Sequence, residues 1–366
     1  MSADSLVAVV LAAGRATRMG RPKALLPIGG RAVIEHVIDT LLHAEMKEIR
    51  VVVGHARERI SPLIKANGAR IVVNAQYDQG MFSSVQAGLR ELPAGTAGVL
   101  ILPVDIALVR PWTVRYLARR FCESPDHIVY PEFNGRRGHP PIIPLNRVPQ
   151  IHSFQAPGGL RACLETSAGA ALDVPVPDRH VLFDMDTPAD YEALLQRAQR
   201  WMIPDADECG VILEQIYRVA PEVAAHGRAV SRSAVSLARA LVAAGEPLDA
   251  EALRAAALLH DLAKGRPAHA RTGAEWLRAM GFTRVAEIVA AHTDPPAPGP
   301  RLCEEELLFL ADKYLEGEQQ VSLDERFAKA RARFGGDPEA LHNIEARFAA
   351  ARAIAQRIRE RLGHKK

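Results

Sequence analysis

Apolar, β-branched runs alternate with amphipathic stretches along the first 200 residues of this 366-residue chain. The runs lie at Leu6–Leu11, Ile49–Val53, Ile71–Val73 and Val99–Leu102. The amphipathic stretches lie at Ala32–Ala44, Ala56–Ala66 and Ser83–Glu91. This order predicts an α/β fold, with a mostly parallel sheet and helices on both of its faces. In such a sheet, we expect ligands at the carboxyl ends of the strands.

A change of pattern divides the chain into two domains. From Cys209 onward we find no convincing strand, and this part is predicted to be all-α. The predicted helices cover residues 209–218, 222–244, 248–262, 268–280, 283–292, 303–316 and 339–362. Met202–Glu208 contains proline and acids and is predicted to be a linker. We therefore expect an α/β domain over 1–201, a linker over 202–208, a helical domain over 209–335 and a terminal helix with a tail over 336–366.

Composition excludes several classes of protein. The formal net charge of +3 is too small for a nucleic-acid binder, and no apolar run is long enough to span a bilayer. The four cysteines lie far apart and predict neither a zinc site nor a disulfide framework. We expect a cytoplasmic protein with reduced thiols.

The first predicted strand runs directly into the loop AAGRATRMGRPK, residues 12–23. Small residues after a buried strand allow backbone N–H groups to approach a phosphate chain closely. Gly14 contributes to this freedom, and Arg18 and Lys23 carry charge that neutralises phosphates. The pattern is neither a P-loop nor a dinucleotide-binding G-x-G-x-x-G motif. It predicts a cradle for a nucleotide.

This loop resembles the LAAGxxxRMGxxK signature of MobA-like nucleotidyltransferases, whose fold is Rossmann-like. The segment from Gly80 resembles the GMxxS loop of the same family. Two later segments, Gly138-His139-Pro140 and the D-x-D-T-P segment from Asp184, resemble those of molybdopterin cytidylyltransferases. The resemblance covers residues 6–200. It implies nucleotide contacts at Leu11, Ala12, Ala13, Gly14, Arg18, Lys23, Gly80, Ser84 and Asp105, with Arg18, Lys23 and Asp105 catalytic.

Nucleotidyl transfer needs alignment of an acceptor oxygen and neutralisation of the leaving pyrophosphate. Mg²⁺ suits this work, since it prefers carboxylates, waters and substrate phosphates. Asp105 follows the strand Val99–Leu102 and is the first expected ligand, with Asp186 or its competitor Asp184 as the second. Gly138 and His139 are expected at the acceptor. Ala13 in LAAG favours CTP as the donor, although another nucleoside triphosphate stays open.

The helical half carries a second set of polar residues on apolar helices. Adjacent His260 and Asp261 are costly to bury unless both are satisfied, and at a helix terminus they can converge on one metal ion. The set also contains His226, His269, His292 and Asp312. Imidazole and carboxylate ligands together suit a divalent transition metal.

The order H…HD…D, at His226, His260-Asp261 and Asp312, resembles the HD superfamily of metal-dependent phosphohydrolases over residues 209–330. The additional His269 and His292 resemble its dinuclear members. The resemblance implies one or two ions such as Fe or Mn. The short spacing between Asp261 and His269 leaves the second metal position open. Lys264 is expected to orient a substrate phosphate or to interact with its helix terminus.

The sequence therefore predicts a nucleotidyltransferase fused to a phosphohydrolase. The donor is expected to be CTP and the acceptor phosphorylated, with molybdopterin favoured and a molybdoenzyme as a possible partner. One alternative acceptor is a sugar or polyol phosphate. Another alternative makes the HD domain a regulatory, dimerisation or partner-docking module.

Overall fold

The structure is a computed structural model that describes residues 5–15, 18–166 and 170–363. It divides into two compact units, Met1–Trp201 and Met202–Lys366. Two residues of the predicted phosphate-binding loop, 16 and 17, and the last three residues of the predicted tail lie outside the described residues.

Among the residues that the structure describes, ten strands belong to the first unit. In chain order they are β1 (Leu6–Ala12), β2 (Pro27–Ile28), β3 (Arg31–Ala32), β4 (Glu48–Val53), β5 (Arg70–Val73), β6 (Gly98–Pro103), β7 (Ile128–Phe133), β8 (Arg136–Arg137), β9 (Ile142–Pro144) and β10 (Ala171–Pro175). Strands β2 and β3 form a small separate hairpin. The main sheet has the order β10-β7-β9-β6-β1-β4-β5, with β8 paired to β7.

The predicted mostly parallel α/β sheet is confirmed. Strand β1 is buried along its whole length between β4 and β6, and it is parallel to both. Strand β9 runs antiparallel to β6 and β7, and β8 runs antiparallel to β7. Because β1 and β6 end at the same edge, the loop after Ala12 and the turn carrying Asp105 lie side by side. The amide of Val104 donates to the carbonyl of Leu11 at 3.1 Å.

The described part of this unit contains seven α-helices: α1 (Val33–His43), α2 (Arg57–Ala66), α3 (Met81–Gly88), α4 (Pro111–Glu123), α5 (Val148–Ser153), α6 (Gly159–Glu165) and α7 (Pro188–Gln199). Helix α1 shows the pattern that forms them, since Val33, Val37 and Leu41 are buried at helical spacing. The strands and helices within residues 124–185 were not predicted. Their elements are short and separated by glycines and prolines, which weakens any periodic signal.

The second unit is helical, as predicted. Its helices are α8 (Ala206–Val211), α9 (Pro221–Ala243), α10 (Ala250–Leu259), α11 (His269–Ala279), α12 (Thr283–Ala290), α13 (Glu304–Lys313), α14 (Leu323–Phe334) and α15 (Pro338–Arg361). A π-helical turn, Ile212–Ile216, follows α8. None of the described helices is both long and apolar enough to cross a membrane.

Three details of this unit differ from the prediction. Helix α14 was not expected, because only Leu323 and Phe327 are buried along it and it shows little apolar periodicity. Residues 206–208 of the predicted linker belong to α8, because Asp205 and Glu208 cap each other's backbone amides and start the helix early. A short antiparallel hairpin, β11 (Leu315–Glu316) and β12 (Gln319–Gln320), lies where no strand was expected. Strands of two residues carry no periodicity that a sequence pattern could show.

Candidate active sites

A lysine and two carboxylates form the centre of the first site. The Lys23 ammonium donates to Asp105 Oδ2 at 2.8 Å and to Asp186 Oδ1 at 2.6 Å. Arg18 donates to the other oxygen of Asp186 at 2.8 Å. Partial burial lowers the pKa of Lys23, but the two carboxylates outweigh burial and leave that pKa raised. The hydrogen bond from Lys23 is the largest cause that lowers the pKa of Asp186.

The two carboxylates suit a magnesium ion. Asp105 and Asp186 already converge on one cationic group and stand at the wall of an open cavity. Mg²⁺ is commonly held by one or two carboxylates while substrate phosphates and waters complete its shell. Asp105 and Asp186 are therefore the residues that would hold the ion. Asp184 is exposed and does not line either of the two cavities of this unit that are described in the next paragraphs. The geometry therefore favours Asp186 over Asp184 as the second ligand.

A cavity of about 370 Å³ lies over this cluster. The residues expected to contact the nucleotide that line it are Leu11, Ala12, Ala13, Gly14, Lys23, Gly80, Ser84 and Asp105. Arg18 does not line it directly but reaches the cluster through Asp186. The structure thus brings residues from β1, β6, α3 and their loops to one place.

Helix α3 is anchored so that its first turn faces this cavity. Gly80 precedes the helix with φ of 94°, a backbone conformation that favours glycine. Asn74 donates to the hydroxyl oxygens of Ser83 and Ser84 at 2.9 and 3.0 Å. Ser83 also donates back to the carbonyl of Gly80 at 2.8 Å. Ser84 is therefore held in place by a buried amide that the sequence reading did not identify.

A second cavity of about 850 Å³ adjoins the first, and Leu11, Met81 and Pro103 line both. Gly138 and His139, the residues expected at the acceptor, line this larger cavity. A Cβ atom at Gly138 would lie 2.4 Å from the Val181 carbonyl oxygen, so only glycine fits there. Burial lowers the pKa of His139 and favours its neutral form. Its Nδ1 is buried without a hydrogen-bond partner among the described residues.

The second unit gathers its histidines around two aspartates. The Nδ1 atoms of His226, His260 and His292 face the backbone carbonyls of Gly317, Ala257 and Val289 at 2.7, 2.9 and 2.7 Å. A carbonyl only accepts, so each Nδ1 carries a proton and the Nε2 atom is the one left to face the aspartates. This arrangement is typical of metal-binding histidines. Nε2 of His260 is buried with no hydrogen-bond partner among the described residues.

Asp261 lies between two groups of histidines. Its Oδ2 is 3.6 Å from His260 Nε2 and 4.0 Å from His226 Nε2. Its Oδ1 is 3.5 Å from His269 Nε2 and 3.9 Å from His292 Nε2. One carboxylate therefore faces two sets of potential ligands, one through each oxygen. The structure brings His269 into the second set despite its short spacing from Asp261 in the sequence.

Two histidines of the cluster have pKa shifts of opposite sign. Burial lowers the pKa of His260, but Asp312 and Asp261 outweigh burial and raise that pKa. Burial and the charge of His260 lower the pKa of His292 to about 3, which keeps its ring neutral. The Nε2 atoms of His269 and His292 lie 3.1 Å apart, within hydrogen-bond distance of each other. The donor set of imidazoles and carboxylates fits one or two divalent transition metals.

Two lysines neutralise the aspartates of this cluster. Lys264 lies 2.6 Å from Asp261 Oδ2, and Lys313 lies 2.7 Å from Asp312 Oδ2. Asp312 also contacts His226 Nε2 through Oδ1 at 3.0 Å. Lys313 was missed by the sequence reading, although its position directly after Asp312 in a chain with only eight lysines is a usable signal. The cluster opens into a cavity of about 850 Å³.

Comparison with known proteins supports both halves of this description. Residues 8–172 match the family model of the MobA-like NTP transferase domain, and residues 223–317 match that of the HD domain. The chain is 38% identical over 112 residues to the bifunctional protein GlmU of Cellvibrio japonicus. The aligned segment makes up 30% of this chain and 24% of that protein. It therefore spans about a quarter of the length of this relative.

Other similar proteins match the first unit at greater coverage. The nicotine blue oxidoreductase of Paenarthrobacter nicotinovorans is 30% identical over 194 residues, or 49% of this chain and 91% of that protein. The crystal structure of Rv0371c from Mycobacterium tuberculosis is 24% identical, covering 53% of this chain and all of that one, with a TM-score of 0.47.

The fold and the two residue clusters define a protein with an α/β domain and a helical domain, each of which matches a family of enzymes. The chain belongs to the MobA-like NTP transferase family, and its second unit carries an HD domain.

Proposed function

We propose that the first unit transfers a nucleoside monophosphate from CTP to a phosphorylated acceptor of the molybdopterin type and releases pyrophosphate. The observation that carries this proposal is the convergence of Lys23, Asp105 and Asp186 on the cavity beside the strand–loop cradle. The adjoining cavity, which Gly138 and His139 line, is large enough for an acceptor. Ala13 at the floor of the cradle supports CTP over GTP.

Each group of the chain has a defined task in this reaction. Lys23 and Arg18 bind the phosphates and neutralise the negative charge that the leaving pyrophosphate develops. The backbone around Gly14 and Gly80 allows close approach of the triphosphate. Asp105 and Asp186 would hold Mg²⁺, which when bound supplies further neutralisation of phosphate charge. His139, with its neutral ring, lines the acceptor cavity and orients the acceptor.

The test is release of pyrophosphate by the full chain with each of the four nucleoside triphosphates against candidate acceptors. We expect turnover with CTP and a molybdopterin-type acceptor. Turnover with a sugar or polyol phosphate instead would identify the alternative acceptor class. Absence of pyrophosphate release with all pairs, in a protein that binds nucleotide, would contradict the proposal.

We further propose that the HD domain is a metal-dependent phosphohydrolase. The observation that carries it is the pair of ligand sets that share Asp261, together with the unpartnered Nε2 of His260. His226, His260, Asp261 and Asp312 would hold the first ion, and Asp261, His269 and His292 the second. Such ions, when bound, supply an activated hydroxide for attack on phosphorus. Lys264, which lies 2.6 Å from Asp261 Oδ2, would bind a substrate phosphate.

The test of this activity is hydrolysis of p-nitrophenyl phosphate and of nucleotides by the full chain loaded with Mn²⁺ or Fe²⁺. We expect hydrolysis that disappears in His260→Ala. A wild-type chain that binds metal but hydrolyses none of these compounds would favour the regulatory or docking alternative. We propose a cytoplasmic location, which the four free cysteines support, and a molybdoenzyme that receives the product.

A further inference from the structure

The segment that joins α12 to α13 links two residues of the metal-ligand cluster. It begins directly after His292, which belongs to the second ligand set, and it ends at α13, which carries Asp312. Residues 293–303 form neither helix nor strand, and four of them are prolines, which have no backbone N–H to donate. The segment therefore has few backbone donors with which to hold its own position.

The first half of this segment is tied to helix α15 by a bidentate ion pair. Arg347 donates to both carboxylate oxygens of Asp294, from Nε to Oδ1 at 2.7 Å and from Nη2 to Oδ2 at 3.0 Å. Such a pair fixes direction as well as distance. The hydrogen bond from Arg347 is also the largest cause that lowers the pKa of Asp294. Asp294 lies only two residues after His292, so the ion pair holds the backbone close to this histidine.

The second half of the segment is tied to the same helix by two further arginines. Arg357 Nη2 donates to the carbonyl oxygens of Gly299 and Arg301 at 2.9 and 3.0 Å. Arg361 Nη2 donates to the carbonyl oxygen of Pro300 at 2.8 Å. At about 100° per residue, the three arginines of α15 lie within about 80° of one another around the helix axis. One face of α15 therefore holds both halves of the segment.

Helix α15 is itself fixed to the unit on which it acts. Arg357 also contacts Glu306, which is buried in the first turn of α13. Arg361 Nε lies 3.1 Å from Oε1 of the buried Glu246, and Ile354 of the helix is buried as well. The helix thus supplies a fixed frame for the segment, although it lies beyond residue 317, where the match to the HD domain ends.

The position of His292 depends on the backbone on either side of it. On the preceding side, its Nδ1 faces the carbonyl of Val289 at 2.7 Å. On the following side, Thr293 lines the cavity of the cluster, so this backbone lies at the edge of the site. The Nε2 atom of His292 lies 3.9 Å from Asp261 Oδ1 and 3.1 Å from His269 Nε2. Rotation of the backbone directly after His292 would carry its ring away from both partners.

We propose that Arg347 is a positioning residue for the second ligand set, formed by Asp261, His269 and His292. Through Asp294 it fixes the backbone that follows His292, and it thereby keeps the imidazole aligned with Asp261. Arg347 acts through this segment and touches neither ion nor substrate. The inference rests on the proposed phosphohydrolase function, and it assigns a metal-positioning role to a helix outside the matched HD domain.

The test measures Mn²⁺ binding to the full chain in Arg347→Ala and in the matched control Arg352→Ala. Arg352 is exposed on the same helix, about 140° around its axis from Arg347. Equilibrium dialysis with elemental analysis gives a Kd for each ion, and the ion lost in His269→Ala is the one held by the second ligand set. We expect Arg347→Ala to raise the Kd of that ion about tenfold, the usual loss when a group that orients a metal ligand is removed.

The other dissociation constants serve as internal controls. The Kd of the first ion in Arg347→Ala, and both values in Arg352→Ala, should stay within about twofold of wild type. Every variant keeps Asp105 and Asp186, so an ion bound in the first unit contributes equally to all the curves.

A double-mutant cycle separates positioning from a general loss of stability. Asp294→Ala removes the same ion pair from the exposed side and should weaken the same ion by a similar factor. Because both residues act through one contact, the double variant should bind this ion no more weakly than either single variant. A general loss of stability would instead weaken both ions, and the effects of the two substitutions would multiply.

The possible failures of the two proposals are distinct. An unchanged Kd in both Arg347→Ala and Asp294→Ala would overturn this inference and leave the phosphohydrolase proposal intact. A wild-type helical unit that binds one ion and hydrolyses p-nitrophenyl phosphate would do the same. A wild-type chain that hydrolyses no phosphate ester would instead contradict the proposed function, whatever the dissociation constants are.

Discussion

Lys23 shows how one residue can be recognised in the sequence while its role depends on distant partners. Its place in the LAAGxxxRMGxxK pattern marked it as a phosphate ligand. Its contacts with Asp105 and Asp186 join residues 82 and 163 positions away in the chain. The same lysine therefore holds together two carboxylates that would repel each other without a cation.

We predict that Lys23→Ala lowers kcat/KM for nucleotidyl transfer by about 100-fold to 1000-fold, the usual loss when one group that stabilises transition-state charge is removed. Pyrophosphate release measures the effect. The exposed Lys47→Ala is the matched control and should keep wild-type activity. A loss of less than about threefold in Lys23→Ala would contradict the role given to this lysine.

Asp261 and His269 lead to a prediction about metal content. Because each oxygen of Asp261 faces a separate ligand set, we expect two ions per wild-type chain. His269→Ala removes a ligand from the second set only and should lower the content to about one ion per chain. Elemental analysis after reconstitution with Mn²⁺ measures this, with the exposed His342→Ala as control. One ion in both wild type and His269→Ala would show a mononuclear site.

At the scale of elements, a buried aspartate ties helix α4 to the segment before α7. Asp178 is fully buried, and its Oδ2 accepts from the amide of Arg110 at 2.8 Å and from the Thr113 hydroxyl at 2.7 Å. Its Oδ1 lies 3.0 Å from His180 Nδ1. Burial raises the pKa of Asp178, but His180 and Arg110 outweigh burial and lower that pKa overall.

We predict that Asp178→Asn destabilises the first unit by about 3–5 kcal/mol, because an amide would place a donor among donors and leave buried charge uncompensated. Urea denaturation of the first unit measures this. Asp173→Asn, whose partner Arg137 is half exposed, should cost under about 1 kcal/mol. Equal losses of unfolding free energy in the two variants would contradict the role given to the burial of Asp178.

The same carboxylate gives the stability of this unit a pH dependence. Because the pKa of Asp178 is lower in the folded state, this carboxylate contributes its full stabilisation at pH values above its unfolded-state pKa of about 3.9. The stabilisation is lost as the pH falls through the folded pKa. We expect the loss of stability below about pH 4 to be smaller in Asp178→Asn than in wild type. Urea midpoints measured between pH 3 and pH 7 test this expectation, and parallel curves would contradict it.

Elements also show where sequence patterns lose their information. Strand β1 was predicted because it is a fully buried apolar run. Helix α1 was predicted because it has a complete apolar face. Strands β7 and β10, by contrast, pair with each other across more than 35 residues of turns and short helices. Their pairing depends on contacts made across the fold, and a local pattern does not contain those contacts.

At the scale of the whole molecule, the two units have separate cores and separate sites. We predict that His260→Ala removes bound metal and phosphohydrolase activity while the rate of nucleotidyl transfer stays within about twofold of wild type. Both activities are measured on the same preparation, and Lys23→Ala should show the reverse pattern. A change in transfer by His260→Ala without any hydrolysis to lose would favour a regulatory HD domain.

The sequence by itself determined the two fold classes, the strand–loop cradle and the adjacent His260-Asp261 pair, because these depend on local periodicity and on residues close together in the chain. The tertiary structure decided that Asp186 rather than Asp184 meets Lys23, since only folding sets the distances between residues far apart in sequence. It also decided that Asp261 faces both sets of histidines. Such arrangements arise where helices and strands pack together, and no local pattern records them.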